Sequence, residues 1–415
     1  MRTELQAKGP NENLLDRLCI ILLAFCPILQ HYKGLFINSA VTVLIVVFPY
    51  VLMKLMRKRI LFLSDVKFVS TLILFFGFKV IDHGTTITEA GQAVIFSILV
   101  IAIASGCFDT KLFIRIVTII SATASVCIIL QYICYYLLGR HIQMVPTSLL
   151  LAKSSQWVLG ARTGRASITG RRIMFYRPSA FFLEPSHMFI YLFMPLALAL
   201  LGDETETHNK KTAMLISAGM ILSTSGMGIL TAIGIWFVYF GQKRKNKQFS
   251  LLEFLKPKGL LLAAGSVLAF VVMFRYVPFF KSSILRIVGS GQDYKNAITG
   301  RVSAGNELVR SIHGVQRWFG VEDRLAGIEF NMSGFNATMY QYGVVGTVIS
   351  YLFYLQGIFK IRHVYFWISL VIIALSFFSA HTHSTMFMIY AVFVFTEGYK
   401  RLQRPLMEKE INYGS

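Results

Sequence analysis

The sequence predicts an all-α integral membrane protein of about 12 transmembrane helices with two large loops outside the cytoplasm. Three observations carry that expectation. Apolar residues make up 55% of the 415 and charged residues only 15%, which excludes an ordinary water-soluble globule. The apolar residues fall into runs close to the ~20 that a helix needs to cross hydrocarbon. Lys and Arg gather at alternate run ends, as the positive-inside rule requires of a multi-pass chain. The formal net charge of +21 would point to nucleic acid in a soluble protein. Here the positives divide between two faces of a membrane, and no nucleic-acid partner is expected.

Taken in order, the runs are 15–30, 35–53, 62–81, 90–107, 112–138, 188–201, 212–226, 227–241, 259–277, 338–357, 364–380 and 384–397. The first has no small-residue cleavage site, so it is expected to stay as a span. The pair meeting at Ser223-Thr224-Ser225-Gly226 is short and almost contiguous. It reads either as a tight hairpin or as a broken helix. The five cysteines lie in or beside apolar runs with no CxxC, which reads as packed thiols. The 35 Phe and 18 Tyr suit a lipid-facing surface with aromatic belts. Phe249 to Leu255 reads as a short amphipathic piece within a cytoplasmic linker.

Orientation follows from the basic clusters. Lys54, Arg57, Lys58 and Arg59 follow the second run, and Lys243, Arg244, Lys245 and Lys247 follow the eighth. Lys360 and Arg362 follow the tenth, and Lys400, Arg401 and Arg404 the last. With twelve crossings all of these share one side, the cytoplasm, and so do both termini. The chain then reads as a single polytopic domain, with segments 139–187 and 278–337 outside. The first of these carries seven positives, six of them arginine, against the single acid Glu184. The second carries seven positives against five acids. Long loops translocate regardless of charge, which accounts for the second better than the first.

Several chemistries are missing from the chain. There is no GxxxxGK[ST], no GxGxxG set between strand and helix, and no DxD in the outer loops to hold a metal on a nucleotide-sugar. A transferase facing outward would need a donor already activated on lipid, and polyprenyl-pyrophosphate is such a donor. Arg171, Arg172 and Arg177 lie shortly before the run at 188. Their planar guanidiniums can bind phosphate oxygens in pairs; they can equally snorkel to lipid headgroups. Glu184-Pro185-Ser186 reads as a helix start with an acid favoured by the dipole. The same carboxylate could pair with a loop arginine and accept a proton from an attacking hydroxyl.

In the second loop, Thr299-Gly300-Arg301 opens a stretch of helical periodicity, Val302 to Trp318, closed by Phe319-Gly320-Val321. Asn336 precedes the tenth run. His187, His313, His381 and His383 have no carboxylate or cysteine at ligand spacing, so no metal and no cofactor is expected. They read as interfacial polar residues.

Four pieces in order resemble the bacterial O-antigen and capsule polymerases, the Wzy-like polysaccharide polymerases of the O-antigen ligase/polymerase superfamily. They are RPSAFFLEPSH at 177–187, STSGMGIL at 223–230, TGR at 299–301 with FGV at 319–321, and FNATMYQYGVVG at 335–346. The resemblance implies a C-type, metal-independent membrane glycosyltransferase at the outer face of the bacterial cytoplasmic membrane. It would move polymer from one undecaprenyl-pyrophosphate to a second lipid-linked repeat unit, with inversion at the anomeric carbon. Carried over, Glu184, Arg177 and Arg301 are the implied catalytic residues. Arg171, Arg172, Ser186, His187, Arg310 and Asn336 are the implied substrate-binding ones. The implied partners are the lipid-linked oligosaccharide, membrane lipids, and a chain-length regulator and flippase of the same pathway. Where O-antigen ligases often show His-Asn, this chain has Phe335-Asn336, which favours polymerase over ligase. A ligase-type transfer, or a flippase or transporter, stands as the alternative. Carriers need ionisable groups near the midplane, whereas here charge gathers in the loops.

Overall fold

The computed structural model describes residues 10–35, 38–57, 63–82, 87–140, 142, 144–145, 147–151, 178–202, 209–245, 275, 305–321, 333–361, 364–377 and 379–413. About 84% of these are helical, with no strand among them. Ten long helices carry most of the described chain: α1 (Pro10–Leu29), α2 (Ser39–Arg57), α3 (Leu63–Asp82), α4 (Ile87–Ala104), α5 (Thr110–Leu138), α6 (Pro185–Leu201), α7 (Lys210–Leu222), α8 (Gly226–Lys245), α10 (Gly334–Gln356) and α12 (Thr385–Tyr413). The five-residue α9 (Val315–Phe319), α11 (Val364–Ser376), equal in length to α7, and a short helix at 305–311 accompany them. Helices therefore meet eleven of the twelve predicted runs; the ninth, 259–277, lies outside the described residues apart from Arg275.

Among the described residues three helical segments are both long and apolar enough to cross a membrane, at Ser39–Arg57, Thr110–Tyr135 and Gly334–Phe359, and four shorter apolar helices accompany them. The architecture is that of an all-α membrane protein. Helix starts follow from local chemistry. Asn38, Asp109, Asn209, Ser333 and Ser384 each accept a backbone N–H of the first turn of the helix that follows, which satisfies donors that the helix itself leaves open.

The chain divides into two compact units. One comprises Met1–Ile120, Thr147–Ser154 and Glu307–Ser415; the other comprises Ser121–Pro146 and Ser155–Asn306. In the first unit α2 packs on α1 and α4, α3 on α4 and α10, and α12 on α1 and α4. Phe113 at the start of α5 stacks on Phe393 of α12 at 3.9 Å. Polar contacts mark the two ends of this unit. Lys54 pairs with Asp16 and donates to the Cys107 carbonyl at 2.6 Å. That joins the start of α1, the end of α2 and the α4–α5 connection. At the other end Lys33 N–H donates to the Leu149 carbonyl at 2.7 Å and Leu151 N–H to the His31 carbonyl at 3.1 Å. α1 and α2 therefore run antiparallel.

In the second unit α6 is buried from Pro185 to Leu200 on all but one of its residues, Ser186, and packs against α7 and α8. A helix apolar all round is a core helix. The junction at 223–225 is a tight hairpin: Trp236 Nε1 donates to Ser217 Oγ at 2.8 Å. In one continuous helix those residues, nineteen apart, would stand about 28 Å from each other. Thr224 turns the chain with φ +57°.

The predicted helical stretch from Val302 to Trp318 is broken. The helix at 305–311 ends before Gly314, whose φ of +62° no continuing helix can hold, and α9 starts anew after it.

Candidate active site

The second unit holds the motif at 178–187. Ser179, Ala180 and Phe182 are buried and form a tight turn, with Phe182 N–H donating to the Ser179 carbonyl and Ser179 Oγ to the Phe182 carbonyl, both at 2.9 Å. Ala180 sits at φ +49°, a left-handed conformation that costs a non-glycine residue about 1–2 kcal/mol. The turn is held from α5. Gln131 accepts the Ala180 N–H at 3.0 Å and donates to the Ile142 carbonyl at 3.1 Å. Phe182 then packs on Tyr191 of α6 at 5.4 Å, so the chain leaves the turn straight into α6.

Glu184 occupies the N-cap position of α6 with extended backbone, followed by Pro185, but its side chain caps no helix N–H. This separates it from the five helix starts capped by Asn, Asp or Ser. Its Oε1 instead accepts the Ser186 hydroxyl and faces His187 Nε2 at 3.4 Å. The carboxylate side chain is 23% exposed and the imidazole 7%. The acid is thus the more open of the pair. Hydroxyl and imidazole both face the same carboxylate oxygen, an arrangement that can hold the carboxylate in place while it takes up a proton. The favourable N-terminal field of α6 acts on the same carboxylate.

Of the other residues expected at the site, Arg171, Arg172, Arg177 and Arg301 lie outside the described residues. Glu184, Ser186 and His187 are brought together. Arg310 and Asn336 belong to the first unit. Arg310 is exposed on the helix at 305–311. Asn336 is 4% exposed in the first turn of α10, where Ser333 accepts its N–H at 3.3 Å.

Three features went unseen in the sequence. Gln131 is 1% exposed; its signal was a lone amide within the apolar run CIILQYICYY. In the first unit α10 breaks at Gly343, with φ +60°, and the break receives the backbone of Trp318 and Phe319. Val321 N–H donates to the Tyr340 carbonyl at 3.0 Å, and Gly320, with φ +97°, meets Gln341. The FGV and QYG pieces are thus one contact. His383, read as an interfacial residue, is 5% exposed in the short turn between α11 and α12. Its ring meets that of Tyr351 edge-on at 5.1 Å. Burial, with the Lys79 charge added, pushes its imidazole down to about 3. His31, edge-on to His381 at 6.4 Å, is likewise held at about 3 by burial and then by His381.

No family model, curated protein or solved structure matches this chain.

Proposed function

We propose that the chain is a Wzy-like polysaccharide polymerase: a polytopic glycosyltransferase of a bacterial cytoplasmic membrane that extends polymer on undecaprenyl-pyrophosphate. Its termini are cytoplasmic and its site faces outward, as the Lys and Arg distribution implies. The observation that carries the reading is Glu184. It is the only acid of its loop, stands at the mouth of an apolar helix, leaves that helix uncapped, and contacts a hydroxyl and an imidazole instead.

In the proposed step a sugar hydroxyl of the incoming lipid-linked unit attacks the anomeric carbon of the growing chain. The new C–O bond forms as the bond to pyrophosphate breaks, and the lipid pyrophosphate leaves with that electron pair. Glu184 takes the hydroxyl proton, with His187 and Ser186 fixing the carboxylate. Arg177 and Arg301 are assigned to the growing charge of the leaving group, where a preorganised cation is most effective. Arg171, Arg172, Arg310 and Asn336 are assigned to substrate binding.

Purified protein in vesicles, supplied with a lipid-linked repeat unit, tests this. Glu184→Gln should insert normally and turn over about a hundredfold or more slowly, the scale of a lost general base. Turnover within a fewfold of the parent would reject Glu184 as the base. Absence of any polymer from the parent protein would reject the polymerase reading itself.

A further inference from the structure

We infer that α9 is an interfacial anchor: its Val315–Trp318–Phe319 stripe lies among the headgroups and upper acyl chains of the bilayer, with Arg317 at phosphate level. In a helix residues three and four apart share a face, so Val315, Trp318 and Phe319 form one stripe and Gln316 and Arg317 lie off it. The stripe is open: Val315 is 74% exposed, Trp318 56% and Phe319 45%. Three large apolar side chains on a helix of only five residues would be costly to leave in water, where burying each is worth about 1.5–3 kcal/mol.

Its depth follows from what it touches. The end of α9 is fixed against α10 between Tyr340 and Gly343 by the Val321–Tyr340 hydrogen bond and by two glycines whose missing side chains allow the approach. α10 is one of the helices long and apolar enough to cross a membrane. Gly343 lies nine residues past its start at Gly334, about 13 Å along the axis. Phe319 also stacks on Phe78 near the end of α3, centroids 6.2 Å apart. The contact therefore lies below the ends of both helices, about 13 Å inside the start of α10 and four residues before the end of α3, and the open stripe continues their surface at the depth of the upper acyl chains.

The charges agree with that placement. Arg317 on α9 and Arg310 on the preceding helix are exposed, with His313 between them and Glu307 the one exposed acid of 305–321. Aromatics beneath and arginines above are the composition of a segment lying in the headgroup region. The occupant of the stripe is the bilayer surface, attracted through its phosphates.

Tryptophan fluorescence of the full-length protein in phosphatidylglycerol-containing vesicles tests the inference. Trp157, Trp236 and Trp367 are replaced by Phe, leaving Trp318. Lipids brominated near the headgroup end of the chain should quench it about twofold more than lipids brominated at the chain terminus, and aqueous iodide should quench it little. Should the triple replacement fold poorly, Trp318→Phe in the parent must remove a component quenched by the shallow bromine. Quenching by iodide without quenching by either lipid would overturn the placement.

Discussion

Gln131 is the residue on which the candidate site should prove most sensitive at a distance. Replacing it with Leu keeps the side-chain volume and removes both hydrogen bonds. The Ile142 carbonyl belongs to a residue that is 38% exposed, so water replaces the lost amide there. Ala180 is 0% exposed, and its N–H is left without the Gln131 acceptor. Such a buried, unsatisfied donor costs about 1–3 kcal/mol. The left-handed backbone at Ala180 then loses its restraint, and the turn ahead of Glu184 loosens. For a unit of this size each kcal/mol moves the melting temperature by about 2–4 °C, so Gln131→Leu should melt about 2–12 °C below the parent. The assay is thermal unfolding in detergent followed by circular dichroism, paired with turnover of a lipid-linked repeat unit in vesicles. Turnover should fall even at temperatures where the variant is folded, because the carboxylate is no longer held at one place. A melting curve overlapping that of the parent would refute the reasoning that Gln131 holds the turn.

Other perturbations give equally direct readings. Gly343→Ala and Gly320→Ala each place a side chain on facing backbone at positive φ; both should lower thermal stability by about 1–3 kcal/mol, whereas Gly234→Ala, with open space around it, should not. Lys54→Met removes the cation beside the buried Asp16 carboxylate, 8% exposed, and leaves it the Tyr50 hydroxyl; it should cost up to about 3 kcal/mol in a melting assay, with recovery in the Asp16→Asn/Lys54→Met double variant. His31 and His383 titrate near 3 in the folded chain against an ordinary 6.5. The unfolded chain therefore binds their protons first, and stability is full above pH 6.5 and falls toward pH 3, by up to about 1.4 kcal/mol per pH unit for each histidine. His383→Gln should flatten that slope, and a melting temperature constant between about pH 7.5 and 5 would contradict the burial of these rings. Arg177→Lys and Arg301→Lys keep the charge and lose the two-toothed fork; accumulation of single lipid-linked units is expected, and normal polymer from both would reduce these arginines to lipid anchors.

What could be read from the amino-acid string is what short stretches of chain decide for themselves. A run such as 112–138 is helical because its apolar length leaves the backbone no partner but its own next turn. Asn38, Asp109, Asn209 and Ser333 start helices because their side chains reach N–H groups two or three residues on. Glu184 at the head of α6 was legible from Pro185 in the first turn and from the dipole that favours an acid there. That its carboxylate turns away from the helix toward Ser186 and His187 was not, since position along the chain sets the backbone and leaves the rotamer to the surroundings. Tertiary structure alone joined Gln131 to Ala180, forty-nine residues later, and set Gly320 against the break at Gly343. It also buried His383, which neighbours in sequence would place at a wet boundary. Each of these depends on packing between distant segments, where a hydrogen bond or a missing Cβ has meaning only once the partner has arrived.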